Sequence, residues 1–380
     1  MQTFSDYWRT LDWDDIGLRI HSKTTKDVAD ALNRPHRTLE DMMALLSPAA
    51  ANLLEPMAVQ AQQLTRQRFG HTVSFYVPLY LSNLCANDCT YCGFSMSNAI
   101  KRKTLNEAEI ARECAAIRQL GFEHLLLVTG EHQRKVGMDY FRHHLPEIRR
   151  QFSAVQMEVQ PLSEEEYAEL KTLGLDGVMV YQETYHEMTY SRHHLRGRKQ
   201  DFFWRLETPD RLGRAGIDKI GLGALIGLSD NWRVDCFMVA AHLLWLQKNY
   251  WRSRYSVSFP RLRPCAGGIT PASLMDEQQL VQVICAFRLL SPDLELSLST
   301  RESPWFRDHV VPLAITHLSA YSRTQPGGYA STRRELEQFS PHDERTPQAV
   351  ADALRQSGLQ PIWKDWDPWL GRNPQNVMSD

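Results

Sequence analysis

Residues 72–92 read TVSFYVPLYLSNLCANDCTYC. The first half, 72–82, is an apolar run rich in β-branched and aromatic residues, the composition of a strand. The second half is a polar loop that places Cys85, Cys89 and Cys92 within eight residues. A strand that ends in a polar loop then recurs along the chain. The runs are HLLLVTGE (124–131), AVQMEVQPL (154–162), DGVMVYQET (176–184), KIGLGALIGL (219–228), SVSFPRLRP (256–264), LELSLSTR (294–301) and THLSAYSRT (316–324). Between them lie helical patterns that end at glycine, such as NEAEIARECAAIRQLGF and SEEEYAELKTLGL. Strands that alternate with helices pair in parallel through βαβ units. Eight such units in about 250 residues predict a (β/α)8 TIM-type barrel.

Residues 1–70 read as a helical N-terminal extension. Thr38 is placed to cap a helix that stops at Ser47-Pro48, and Gly70 to end the next one. The barrel is expected over 71–326, followed at 327–380 by a helical, Trp-rich segment (Trp363, Trp366, Trp369) packed on it. The formal net charge of -2 gives no global basic field for nucleic acid. The short runs IKRK (100–103) and RGRK (196–199) read as solvated faces or carboxylate partners. No apolar stretch approaches the roughly 20 residues of a bilayer span, and the N-terminus lacks the apolar core of a secretory signal. An odd number of cysteines, seven, suits a reducing compartment, so a cytoplasmic protein is expected.

In a barrel of this type the functional groups stand at the C-terminal ends of the strands. Those ends carry Cys85–Cys92, Thr129-Gly130-Glu131, Gln160, Gln182-Glu183-Thr184, Arg261 and Arg263, Ser299-Thr300-Arg301, and Ser322-Arg323. The cysteines admit several readings. Structural zinc needs a fourth ligand, and no second close pair exists to supply it. A redox pair made of Cys89 and Cys92 leaves Cys85 without a role. An iron–sulfur cluster on three thiolates uses all of them and leaves one iron open for chemistry.

CxxxCxYC on the loop after the first barrel strand resembles the signature of the radical S-adenosylmethionine (SAM) superfamily. The resemblance implies a [4Fe-4S] cluster on Cys85, Cys89 and Cys92, with SAM on the open iron. It further implies reductive cleavage of SAM to methionine and a 5′-deoxyadenosyl radical. Tyr91, Gly130, Glu131, Gln182 and Gly223 are then expected at the cofactor, with Arg198 or Lys199 on its carboxylate or ribose. Within VTGEH (128–132), Gly130 and Glu131 match the superfamily's ammonium-binding stretch, whereas Thr129 and His132 depart from it.

Longer stretches extend the likeness to the tyrosine lyases of thiamin thiazole biosynthesis. They are FSDYWRTLDWDDI, GVMVYQETYHEMTY, DFFWRLETPDRLGRAGIDKIGLGALIGLSDNWRVD, SFPRLRPC, LSLSTRESPWFRD and SRTQPGGY. This implies cleavage of the Cα–Cβ bond of L-tyrosine to dehydroglycine and p-cresol. It also implies thiazole synthase as a partner and a low-potential electron donor such as flavodoxin. A buried amino-acid carboxylate calls for arginine, and Arg301 and Arg323 are the candidates, with Ser299 and Ser322 beside them. Glu183, Thr184 and Tyr185 are expected to face cofactor or substrate, and the N-terminal helices and Trp-rich tail to cover the mouth. The hydrogenase-maturation tyrosine lyase carries a second cluster on C-terminal cysteines, and no cysteine follows Cys285 here. Biotin synthase needs further strand-borne cysteines. A tryptophan-cleaving or cofactor-F420-type radical lyase remains the alternative.

Overall fold

The computed structural model describes residues 2–331 and 337–364. All eight expected strands form, in chain order: β1 Thr72–Ser82, β2 His124–Thr129, β3 Ala154–Glu158, β4 Gly177–Met179, β5 Lys219–Gly223, β6 Arg254–Ser258, β7 Glu295–Leu298 and β8 His317–Ser319. Each pairs in parallel with the next, and β8 returns to β1 (Ser74 opposite His317, Tyr76 opposite Ser319), which closes the barrel. A further strand, β9 Gln360–Ile362, runs parallel to Thr72–Ser74 at the start of β1.

Period-two alternation sorts the barrel side chains. On β1, Phe75, Val77, Leu79 and Leu81 face the outer helices in the main core. Tyr76, Pro78 and Tyr80 face the lumen. Leu126, Val128, Met179 and Tyr80 form a smaller apolar cluster inside. The floor is ionic. Glu295 is buried among Lys219, His317 (3.3 Å) and Arg254 (3.3 Å). Burial alone would raise its carboxyl, but these three cations hold it at about 2.

Helix caps follow the sequence. Thr38 accepts the Asp41 N–H, and Asn106, Ser163 and Asp276 each form a reciprocal capping box. The N-terminal helices do not cover the mouth. Helix Leu54–Phe69 packs on helices Glu277–Leu290 and Pro304–Ala314, and Leu39–Leu46 packs on Trp232–Asn249. Their apolar stripes match the outside of the barrel, so they thicken its wall. Trp363 packs edge-on against Phe75 (4.9 Å) and Phe122 (5.4 Å), near the start of β1 and away from the mouth. Trp366 and Trp369 lie outside the described residues. The segment that reaches the lumen is 337–343, held by the fully buried pair Arg307–Asp343. Among the described residues no single helix is long and apolar enough to cross a membrane.

Candidate active site

The lumen opens at the C-terminal ends of the strands into one cavity, and Cys85, Cys89 and Cys92 all line it. Their loop is clamped from across the barrel. Asp88–Cys89 pairs antiparallel with His194–Arg196, and the Thr90 N–H donates to His193 O at 3.1 Å. Tyr91 Oη lies 2.7 Å from His194 Nε2, and the Lys199 N–H donates to Asn87 Oδ1 at 3.0 Å. The clamp needs glycine at 197. That residue has φ +89, and a Cβ would meet Asn87 Oδ1 at 2.2 Å. Gly130 also marks a close approach, since its Cβ would meet Leu84 O at 2.5 Å.

Beside the cysteines is a buried ionic network. Arg205 contacts Glu131 at 3.0 Å and Glu183 at 3.6 Å, Lys199 contacts Glu183 at 2.7 Å, and Asn87 Nδ2 donates to Glu131 at 2.7 Å. Burial works against the Glu131 carboxylate, but Arg205, Lys199 and the Asn87 hydrogen bond outweigh it and lower its pKa. Burial also opposes the charges of Lys199 and Arg205; the carboxylates more than compensate and raise both. Glu183 holds its place with φ +71, a strained conformation for a side-chain-bearing residue.

Deeper in, the cavity is lined by Tyr76, Tyr80, Glu158, Tyr181, Ser258, Ser299, Arg301, Ser319, Ser322 and Thr324. The Arg301 guanidinium lies 3.6 Å over the Phe339 ring and has no ion-pair partner among the described residues. Ser322 Oγ is buried without a hydrogen-bond partner among the described residues. Burial raises Glu158 to about 7, helped by the charge of Glu183.

Several expectations need correction. Tyr185 is core: its hydroxyl meets His242 Nδ1 at 2.9 Å and its N–H donates to Asp235, outside the cavity lining. Thr184 likewise donates to Asp235 at 3.0 Å. Arg323 lies over the Tyr321 ring at 4.2 Å, while Ser322 and Thr324 on either side of it line the cavity. Gly223 makes room for another side chain, because a Cβ there would meet the Tyr181 ring at 2.6 Å. Gln182 is buried but does not line the cavity, and Arg198 is exposed on an outer hollow. Of the alternatives Arg198 and Lys199, only Lys199 lines the cavity. The sequence reading missed Glu158 and Arg205. An acid within the apolar run AVQMEVQ was the available signal for Glu158; Arg205 in FFWRLE carried none.

Among the described residues no three His, Cys, Asp or Glu side chains converge closely enough for a single metal ion. A cluster does not require that convergence, since each thiolate binds a different iron. The three cysteines are unbridged, and burial raises all three thiols, Cys85 to about 11. Soft thiol donors on one clamped loop, beside an open lumen that Gly130 and Glu131 also line, fit a three-ligand cluster.

A closed parallel barrel with these three cysteines at its mouth defines a radical SAM enzyme, and the Radical SAM superfamily model matches residues 79–238. The Biotin and Thiamin Synthesis associated domain matches 258–360. The chain is 78% identical to the 2-iminoacetate synthase of Salmonella typhimurium LT2 over 375 residues, 99% of this chain and all of that protein. It is equally identical to that of Escherichia coli K12 over 377 residues, again 99% of this chain and all of the other. A crystal structure of HydG, a maturase of the [FeFe]-hydrogenase, superposes with a TM-score of 0.86 at 30% identity, covering 92% of this chain and 80% of that one. The chain belongs to the 2-iminoacetate synthase family. It is a radical SAM carbon–carbon lyase whose cofactors are a [4Fe-4S] cluster and SAM, and the alternative radical lyases are not favoured.

Proposed function

We propose that the chain cleaves the Cα–Cβ bond of L-tyrosine to dehydroglycine and p-cresol for thiazole formation in thiamin biosynthesis. The observation that carries this is the half-buried Arg301, without an ion-pair partner among the described residues, in the same lumen as Cys85, Cys89 and Cys92. When bound, the cluster and SAM supply a 5′-deoxyadenosyl radical that takes a hydrogen atom from the substrate amino group.

The chain's own residues do the rest. Cys85, Cys89 and Cys92 hold the cluster, and Tyr91, Gly130, Glu131 and Lys199 surround the cofactor. Arg301 receives the tyrosine carboxylate as a charge-assisted pair, with Ser299 and Ser322 as donors beside it. An ammonium has no lone pair to stabilise the nitrogen radical, so the substrate nitrogen must first lose a proton. Glu158, poised near neutrality, accepts it. Tyr76, Tyr80 and Tyr181 form an aromatic wall for the phenol ring and keep water from it. Glu183 sets Lys199 and Arg205 in place. The division into residues 1–70, 71–326 and 327–380 stands as part of this reading, as do a cytoplasmic setting, thiazole synthase as partner and a flavodoxin-like reductant.

The test is anaerobic cluster reconstitution followed by reductant, SAM and each aromatic amino acid in turn. p-Cresol, 5′-deoxyadenosine and glyoxylate, the hydrolysis product of dehydroglycine, are expected with tyrosine alone. Turnover of tryptophan without p-cresol from tyrosine would overturn the substrate assignment.

A further inference from the structure

The segment that enters the lumen from the C-terminal side touches the cysteine loop directly. The Gln338 N–H donates to Thr324 O at 2.8 Å, and Thr324 Oγ1 donates to Phe339 O at 2.6 Å, which stitches the segment to the loop after β8. A Cβ on Gly93 would meet Gln338 O at 2.5 Å, so the two backbones pass in contact beside Cys92. In the side chain, Tyr80 Oη donates to Gln338 Oε1 at 2.8 Å, and Gln338 Nε2 lies 3.7 Å from Cys92 Sγ. The amide has one sensible direction. A ligating thiolate has no proton to give, so the reverse setting would press the Oε1 lone pairs against sulfur. Among the described residues no other side chain donates to the three sulfurs. Cys85 Sγ receives the Asn87 backbone N–H at 3.5 Å, and Cys92 also receives a backbone N–H, from Phe94.

We propose that Gln338 sets the reduction potential of the cluster by donating a hydrogen bond to the Cys92 thiolate, with Tyr80 as the positioning residue that aims its amide. The inference rests on Cys85, Cys89 and Cys92 holding the cluster. One electron, from a low-potential donor, makes the cluster more negative, and part of that charge falls on the thiolate sulfurs. A donor aimed at one of them stabilises the reduced state more than the oxidised state and raises the potential.

The test is an EPR-monitored redox titration of the full-length chain, reconstituted anaerobically without SAM, in wild-type, Gln338→Leu and Tyr80→Phe forms. Iron and sulfide per chain are measured on the same samples. Gln338→Leu is expected to keep its iron and to show a reduced-to-oxidised ratio about tenfold lower at the wild-type midpoint, a negative shift of about 59 mV for one electron. Tyr80→Phe is expected to shift the same way by less. A fully loaded Gln338→Leu protein with an unchanged or raised midpoint overturns the proposal. If that variant fails to load, a loaded Tyr80→Phe protein with an unshifted midpoint overturns it. Failure of the wild-type chain itself to assemble a four-iron cluster would instead overturn the cofactor reading.

Discussion

Glu158 is an acid on a barrel strand, enclosed by tyrosines and beside a second acid, and replacing it with Gln isolates the cost of its charge. Its carboxyl is raised from an ordinary value of 4.5 to about 7, first by burial and then by the charge of Glu183. A carboxyl raised on folding binds its proton more tightly in the native chain than in the unfolded one. Stability is therefore full below pH 4.5, falls as pH rises toward 7, and is level above that. A rise from 4.5 to about 7, at about 1.4 kcal/mol per tenfold change in proton affinity, gives about 3.5 kcal/mol; water entering at the mouth reduces it to about 2. Gln is isosteric with the protonated acid and has no such dependence. Urea denaturation of the cluster-free protein should find the two forms equally stable near pH 4 and Glu158→Gln about 2 kcal/mol more stable at pH 8. A stability difference that stays constant from pH 4 to pH 8 would refute the raised carboxyl and the proton-accepting role built on it. In the loaded enzyme, Glu158→Gln should lower kcat without changing iron content.

Cys89→Ala should lose cluster and activity together, read as iron and sulfide per chain and as 5′-deoxyadenosine formed. Arg301→Gln should raise the KM for tyrosine at least tenfold while leaving the cluster intact, whereas Arg323→Gln, lying over Tyr321 outside the cavity, should leave that KM within about twofold. Arg307→Met removes one partner of a fully buried ion pair and leaves Asp343 to Arg345 alone, 2.8 Å away, so it should destabilise the chain by about 1 to 3 kcal/mol in thermal or urea unfolding. Arg307→Met paired with Asp343→Leu should recover much of that loss.

The strands were legible because each apolar run is short, bounded and followed by a helical pattern, and the three-cysteine loop because its spacing is tight. The misplacements share one physical cause. Glu183 and Tyr321 adopt φ +71 and +54 just beyond β4 and β8, and each breaks the period-two alternation that the eye extends from the strand. Past Glu183, Thr184 and Tyr185 turn toward Asp235 and the core; past Tyr321, Arg323 turns away from the lumen. Neither residue is glycine, so nothing in the letters announces the left-handed turn. Arg205 was hidden for another reason: its value lies in reaching across to Glu131 and Glu183, a long-range pairing that local pattern does not encode.

The ionic floor around Glu295 has a kinetic consequence. None of Lys219, Arg254, Glu295 or His317 lines the lumen, and Arg254, Glu295 and His317 border a separate surface hollow on the far side. The lumen is therefore a blind alley, with the tyrosine-lined depth beyond the cysteine rim. If tyrosine occupies that depth, as proposed, it enters before SAM, and the fragments leave past whatever remains at the entrance. If the cysteine rim is the way out, dehydroglycine, which water destroys, emerges there, and that rim is where a protein consuming it would wait.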